Sequence, residues 1–222
     1  MTGLVRKATL FAACGVLVAS AAMAGVPSPG NSTLPASGRI NLVGKDAVSG
    51  NADGAAANGT VSVIVRDLAN NPIVNSTVIL DFSGCTSDTR EGDQASQPVA
   101  ALTVNCGAHT IRTLSDVTGT ATFTIVGGGP AVASPAHALG CAKVYADGVL
   151  LGSIGVGTYD EDGAAGVGGA DLSRWGSDFV GGTNPDRSDF DGSGAVGGGD
   201  LSLWASVFVA GKSNASAASY CP

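Results

Sequence analysis

Two acidic, glycine-rich stretches carry the residues best suited to chemistry. Asp160, Asp162 and Asp171 stand at positions 1, 3 and 12 of the first, and Asp189, Asp191 and Asp200 hold the same positions in the second, 29 residues later. Carboxylates at those positions, with a glycine near position 6, are what a hard divalent cation needs when a tight loop wraps it. Each stretch leads into an apolar set at matching offsets: Leu172, Trp175 and Phe179, then Leu201, Trp204 and Phe208. The spacing i, i+3, i+7 predicts an amphipathic helix with these residues on its core face. A chance acidic pattern would not recur in register with the helix behind it.

Signs of enzyme chemistry are missing. The chain has two histidines, His109 in an expected strand and His137 in an expected loop, and no Gly-x-Ser-x-Gly nucleophile motif. Glu91 and Asp93 read as solvated charges of a polar loop. The β region offers only Phe82, Phe123 and Tyr145 as aromatics, too few for the stacking platforms of a glycosidase cleft. The expectation is a non-catalytic protein.

Export is expected. Arg6 and Lys7, an apolar run from Ala8 to Ser20 and the small-residue site Ala22, Met23, Ala24 have the order of a cleaved signal over residues 1–24. That run is too short to favour a membrane span. The net charge is −7, and residues 159–222 hold nine acids against three bases (Arg174, Arg187, Lys212). Such a surface disfavours nucleic acid and anionic membranes, and suits cations. Four cysteines follow the signal, Cys85, Cys106, Cys141 and Cys221, an even number that predicts two disulfides in an oxidising compartment. Spacing does not choose among the three connectivities; Cys85–Cys106 around one long loop, with Cys141–Cys221 holding the tail, is preferred. No Cys-x-x-Cys pair supports zinc instead.

The elements behind these residues are legible in outline. Residues 25–37 have linker composition. From Arg39 to Tyr159 the chain reads as β: Val61, Val63 and Val65 recur every second residue, as do Val78, Leu80 and Phe82, then Ala121, Phe123 and Ile125. Asp67 to Pro72 carries turn residues, and Asp147-Gly148 is a strong two-residue hairpin signal. Short strands at this spacing predict a sandwich.

Two resemblances follow. The segments Gly59 to Val74, Val78 to Ser83 and Ser115 to Thr124 resemble a bacterial immunoglobulin-like domain of the invasin/intimin type, through the turn Asp67…Asn71-Pro72 and the late strand Asp116…Gly119…Ala121…Phe123. Residues 159–210 resemble a type I dockerin, in which two twelve-residue calcium loops each precede a helix. That resemblance implies Ca²⁺ in both loops. In the second, Asp189, Asp191, Ser193, the Ala195 carbonyl and Asp200 would ligate, with Gly194 at the turn and Val196 plugging the core. In the first, Asp160, Asp162 and Asp171 are in place, Ala164 cannot ligate at position 5, and Ala165 replaces the turn glycine, so Gly166 or Gly163 must take the turn. The 189–200 loop is therefore expected to bind more tightly than the 160–171 loop. The hydroxyls and basic residues by which dockerins hold cohesins are absent: Gly169-Ala170 and Gly198-Gly199 stand at the hydroxyl positions, and Ser177-Asp178 and Ser206-Val207 at the basic ones.

The expected architecture is mainly β: a signal (1–24), a linker (25–37), an immunoglobulin-like sandwich (38–157), a small helical dockerin-like module (158–212) and a tail (213–222). The function it implies is extracellular assembly, adhesion or scaffolding at or beyond a bacterial cell surface. The C-terminal module would dock on a cohesin-like partner or on the sandwich itself. The alternative is a glycan-binding accessory component of a polysaccharide-degrading complex.

Overall fold

The computed structural model describes residues 25–44, 57–130, 137, 139–164, 166–181, 185–210 and 219–222. The expected signal over 1–24 and tail residues 213–218 lie outside the described residues. Among the described residues the strands are β1 (Arg39–Leu42), β2 (Thr60–Ile64), β3 (Thr77–Asp81), β4 (Arg90–Glu91), β5 (Thr103–Asn105), β6 (Thr110–Leu114), β7 (Thr120–Thr124), β8 (Gly127–Gly128), β9 (Ala142–Ala146) and β10 (Val149–Thr158). The helices are α1 (Gly169–Gly181), the single turn α2 (Pro185–Ser188) and α3 (Gly198–Ala210).

The protein is mostly β, as its alternating residues require. Val61 and Val63 of β2, Val78 and Leu80 of β3, and Ala121 and Phe123 of β7 are buried, and Val65, Phe82 and Ile125 extend each row past its strand. These rows meet in one core with Ile40, Leu42, Ile111, Val144, Ile154 and Val156. Full burial of each large side chain contributes about 1.5–3 kcal/mol relative to exposure. Six strands form one sheet in the order β1-β10-β9-β3-β6-β5, while β2–β7 and β4–β8 are antiparallel pairs. β1 runs parallel to β10. Just beyond β1, Val43 bridges Val126 and curls the sheet edge towards the strand that contains β7. The β9–β10 hairpin turns on Asp147 and Gly148, both at positive φ (46° and 82°), the combination a tight two-residue turn demands.

Residues 25–37, expected as a linker from their composition, include a stretch hydrogen-bonded to the β body. The Ser28 amide donates to the Arg66 carbonyl (2.7 Å), and Thr33 exchanges both backbone bonds with Ile64 (2.8 and 2.9 Å). Their composition lacks a period, but the free edge of β2 offers backbone donors and acceptors that an irregular segment can satisfy equally well.

Both expected disulfides form, with a different pairing: Cys85–Cys141 and Cys106–Cys221. Sheet order explains the change. Cys85 follows β3 and Cys141 precedes β9, and these strands lie side by side with Asp81 opposite Lys143, which brings the two cysteines to one end of the sheet. Cys106 caps β5, next to where Cys221 donates to the Glu91 carbonyl (2.8 Å). No helix among the described residues is long and apolar enough to cross a membrane.

Candidate cation-binding loops

Each acidic stretch folds into a loop closed by the first turn of a helix. Asp171 lies in the first turn of α1 and Asp200 in that of α3, where the helix dipole favours a carboxylate. In loop 2 (189–200) the two oxygens of Asp200 accept from the amides of Asp191 (3.0 Å) and Gly197 (2.7 Å). Loop 1 (160–171) repeats the frame: Asp171 accepts from Asp162 (2.9 Å) and Gly168 (2.7 Å). In each loop the three aspartates present oxygens within 4.8 Å of one another.

The turns differ as the residues dictate. Loop 2 uses Gly192 (φ 77°) and Gly194 (φ 88°), while loop 1 uses Gly163 (φ 63°) and Gly166 (φ 87°), so its second left-handed turn moves one position on, past Ala165. Asp189 accepts from three amides of its own loop, Gly192 (3.0 Å), Ser193 (3.0 Å) and Gly194 (2.9 Å). The Ser193 hydroxyl donates to the Ala195 carbonyl (3.1 Å), which brings the two expected neutral ligands together.

The acids respond to this crowding. Burial, then the neighbouring charge of Asp171, pushes the Asp160 carboxyl up to about 7. Burial also raises Asp171 and Asp189, whereas hydrogen bonds from Ser193 lower Asp191. Asp160 is buried, and its Oδ1 has no hydrogen-bond partner among the described residues. A divalent cation fits this donor set. It would satisfy the orphaned oxygen and offset the repulsion of three converging carboxylates.

Behind the loops, Tyr159, Trp175, Phe190, Trp204 and Val207 form a second small core, with Val167 and Val196 packed against it. The rings of Tyr159 and Phe190 stack at 4.5 Å. The expected core stripe is only partly realised: Phe179 is 55% exposed and Phe208 49%, and Leu172 and Leu201 are also open to solvent. The buried rows are instead Asp171, Trp175, Asp178 and Asp200, Trp204, Val207. Each helix is rotated so that its loop-closing carboxylate points inward, and this leaves the neighbouring leucine outside.

A buried polar network, not expected from the sequence, fastens this region to the β body. The Arg39 guanidinium donates to the Asp186 carbonyl (2.6 Å) and to Asn41 Oδ1 (3.1 Å), and lies 3.4 Å from Asp186 Oδ1 and 3.5 Å from Asp189 Oδ2. Asn41 and Asn58 both donate to the Phe190 carbonyl (2.9 and 2.7 Å). On the other side, Arg187 pairs with Asp178 through Nε (3.1 Å) and Nη2 (2.9 Å). Ser188 Oγ lies 2.8 Å from Glu161 Oε1 and 2.5 Å from Asp178 Oδ2. Burial raises Glu161 well above the usual carboxylate range, opposed by the Arg187 charge and the hydrogen bond from Ser188. The only hint of these partners in the sequence is the run of polar residues 186–188 immediately before loop 2.

His137 is buried between two carboxylates, Asp88 on Nδ1 and Asp186 on Nε2 (2.9 Å). Cys141, which lies close to His137 and Asp186, has its sulfur in the disulfide to Cys85 and is no thiolate ligand. Burial opposes the imidazolium, but the bonds to Asp186 and Asp88 outweigh it and lift the pKa to about 9. A folded-state pKa above the unfolded 6.5 contributes stability that is fully present below pH 6.5 and lost as pH rises through 9. The unfolding free energy is expected to fall across that window by at most about 3 kcal/mol, and His137→Gln should flatten the slope in denaturant titrations at pH 7, 8 and 9. An equally steep fall in the variant would rule His137 out as its source.

Two smaller readings change. Glu91 is buried in β4 and not solvated, its Oε1 3.0 Å from His109 Nδ1. His109 is not in a strand: it sits at φ 52° between a 3₁₀ turn (Cys106–Ala108) and β6. Both follow from the return of chain segments that no local pattern announces. No known protein family, curated protein or solved structure matches this chain.

Proposed function

We propose that this chain is a secreted, non-catalytic calcium-binding protein of extracellular assembly. Its two acidic loops hold Ca²⁺ and lock a helical face onto the β body. The observation that carries this reading is the twofold convergence of three aspartates within 4.8 Å, each set framed by the same hydrogen bonds. In loop 2 the ligands are Asp189, Asp191, Ser193, the Ala195 carbonyl and Asp200; in loop 1 they are Asp160, Asp162, Asp171 and the Gly166 carbonyl. Calcium suits them better than magnesium, because mixed carboxylate, carbonyl and water ligands tolerate its irregular shell. Loop 2 is the tighter site, since Ser193 supplies an oxygen where Ala164 has none, although the Arg39 charge offsets part of that advantage. Two disulfides suit an oxidising compartment. The outward faces of α1 and α3, with Phe179, Val180, Phe208 and Val209 exposed, are then available to a partner.

Calorimetry tests the reading. The intact protein should take up two calcium ions, Asp200→Asn should abolish the tighter site, and Asp171→Asn the weaker one. Extracellular loops of this kind bind at about 10⁻³ M or better, so an absence of calcium heat at millimolar concentration would reject it.

A further inference from the structure

Residues 219–222 return to the β body and bring a tyrosine to loop 1. The Asp93 amide donates to the Ser219 carbonyl (2.8 Å), Tyr220 bridges Gly92, and the Cys221 amide donates to the Glu91 carbonyl (2.8 Å). The Cys106–Cys221 disulfide fixes the segment there. The Tyr220 ring covers two glycines: a Cβ on Gly128 would lie 2.8 Å from the phenol oxygen, and one on Gly163 3.7 Å from the ring. The phenol donates to Asp160 Oδ2 (3.0 Å). The other oxygen of that carboxylate, Oδ1, is the buried atom without a hydrogen-bond partner, and Asp160 belongs to the loop 1 cluster with Asp162 and Asp171.

In loop 2 the contact from outside is the Arg39 guanidinium, 3.5 Å from Asp189 Oδ2. Both oxygens of Asp189 are set by amides of their own loop, including Ser193 and Gly194 at positions 5 and 6. In loop 1 the position 5 amide, that of Ala164, donates to Asp162 (2.9 Å), as that of Ser193 also does to Asp191 (2.8 Å), and Asp160 Oδ1 is left without a hydrogen-bond partner among the described residues. We propose that Tyr220 is the positioning residue of the loop 1 cation site: it occupies Oδ2 of Asp160, turns Oδ1 towards the cation, and is held in place by the Cys106–Cys221 disulfide. The inference rests on the reading of loop 1 as a divalent-cation site. It makes the affinity of one loop, and not the other, depend on a segment that closes over it from outside.

The test uses the full chain carrying Asp200→Asn, so that calcium calorimetry reads loop 1 alone. Tyr220→Phe keeps the ring, the bridge and the disulfide, and removes only the hydroxyl. It is expected to weaken loop 1 by about tenfold or more, the usual cost of losing a partner that orients a metal ligand. Loop 2, read separately in Asp171→Asn protein, should be unchanged by the same substitution, which a general loosening of the helical region would not allow. A loop 1 Kd within about twofold of the parent overturns the proposal. Equal weakening of both loops overturns it too. The paired variant Cys106→Ser/Cys221→Ser should weaken loop 1 as Tyr220→Phe does, and normal affinity there would overturn the tethering role of the disulfide. If Asp200→Asn protein with Tyr220 intact takes up no calcium, it is the cation reading of loop 1 that fails.

Discussion

Arg39→Met is expected to lower the unfolding free energy by about 3–5 kcal/mol, the cost of removing one partner from a buried ion pair. Arg39 is fully buried on β1, and its guanidinium serves the Asp186 carbonyl and carboxylate, Asn41 and Asp189. Methionine can fill the space of the aliphatic stem, so the loss reports the charge rather than a cavity. It leaves two buried aspartates facing each other across an empty donor site. For a chain of this length each kcal/mol moves the melting temperature by roughly 2–4 °C, so a fall of roughly 6–20 °C is expected in calcium-free buffer. Calcium should shrink the deficit. Asp189 is the first ligand of loop 2 in the proposed calcium site, and with the guanidinium gone its carboxylate would be left to the cation. Melting curves with and without saturating calcium measure both effects. A variant that melts within about 2 °C of the parent in calcium-free buffer would show that this network does not hold the helical region to the sheet.

That network also marks where sequence reading stops. Alternating Val61, Val63, Val65 and Val78, Leu80, Phe82 declare their strands because burial on one face of a pleated strand is a local, period-2 property. Asp147-Gly148 declares its hairpin because few residue pairs tolerate positive φ twice. The acidic loops declare themselves because every carboxylate of a loop lies within twelve residues. Arg39 and Asp186 are 147 residues apart, and His137 is 49 from each of its carboxylates; nothing local couples them. The cysteine pairing failed for the same reason, since neighbours in a sheet follow strand order and not chain distance. The helical stripe failed for a different one. Leu172 and Leu201 have the right spacing for a core, but Asp171 and Asp200 must face inward to close their loops, and one residue of rotation puts the leucines outside. A polar requirement outweighed a hydrophobic pattern.

Removing calcium is expected to shift tryptophan emission to the red while the β-sheet circular dichroism persists. Trp175 and Trp204 are the chain's two tryptophans, 7% and 5% exposed, and both belong to the small core behind the loops. The large core contains neither, and draws its residues from the strands and the segments that flank them. Binding favours the folded state by RT ln(1 + [L]/Kd), about 2.7 kcal/mol per site at a hundredfold excess over Kd. Two filled loops therefore contribute about 5 kcal/mol to a core of five buried residues and its partly buried neighbours, which by itself is too small to stay ordered. The anchors shape the response. Loop 2 remains tied to β1 through Arg39 and Asn41, and loop 1 to the 219–222 segment through Tyr220. The helices should therefore loosen in place and not detach, giving a partial red shift in place of the emission of an unfolded chain. Trp175→Phe and Trp204→Phe separate the two reporters. Trp204, on the helix that closes loop 2, should recover its blue emission at lower calcium than Trp175, on the helix that closes loop 1. Emission that stays unchanged after complete calcium removal would show that the cation does not support this core, and coincident recovery of the two tryptophans would show that the loops fill as one unit.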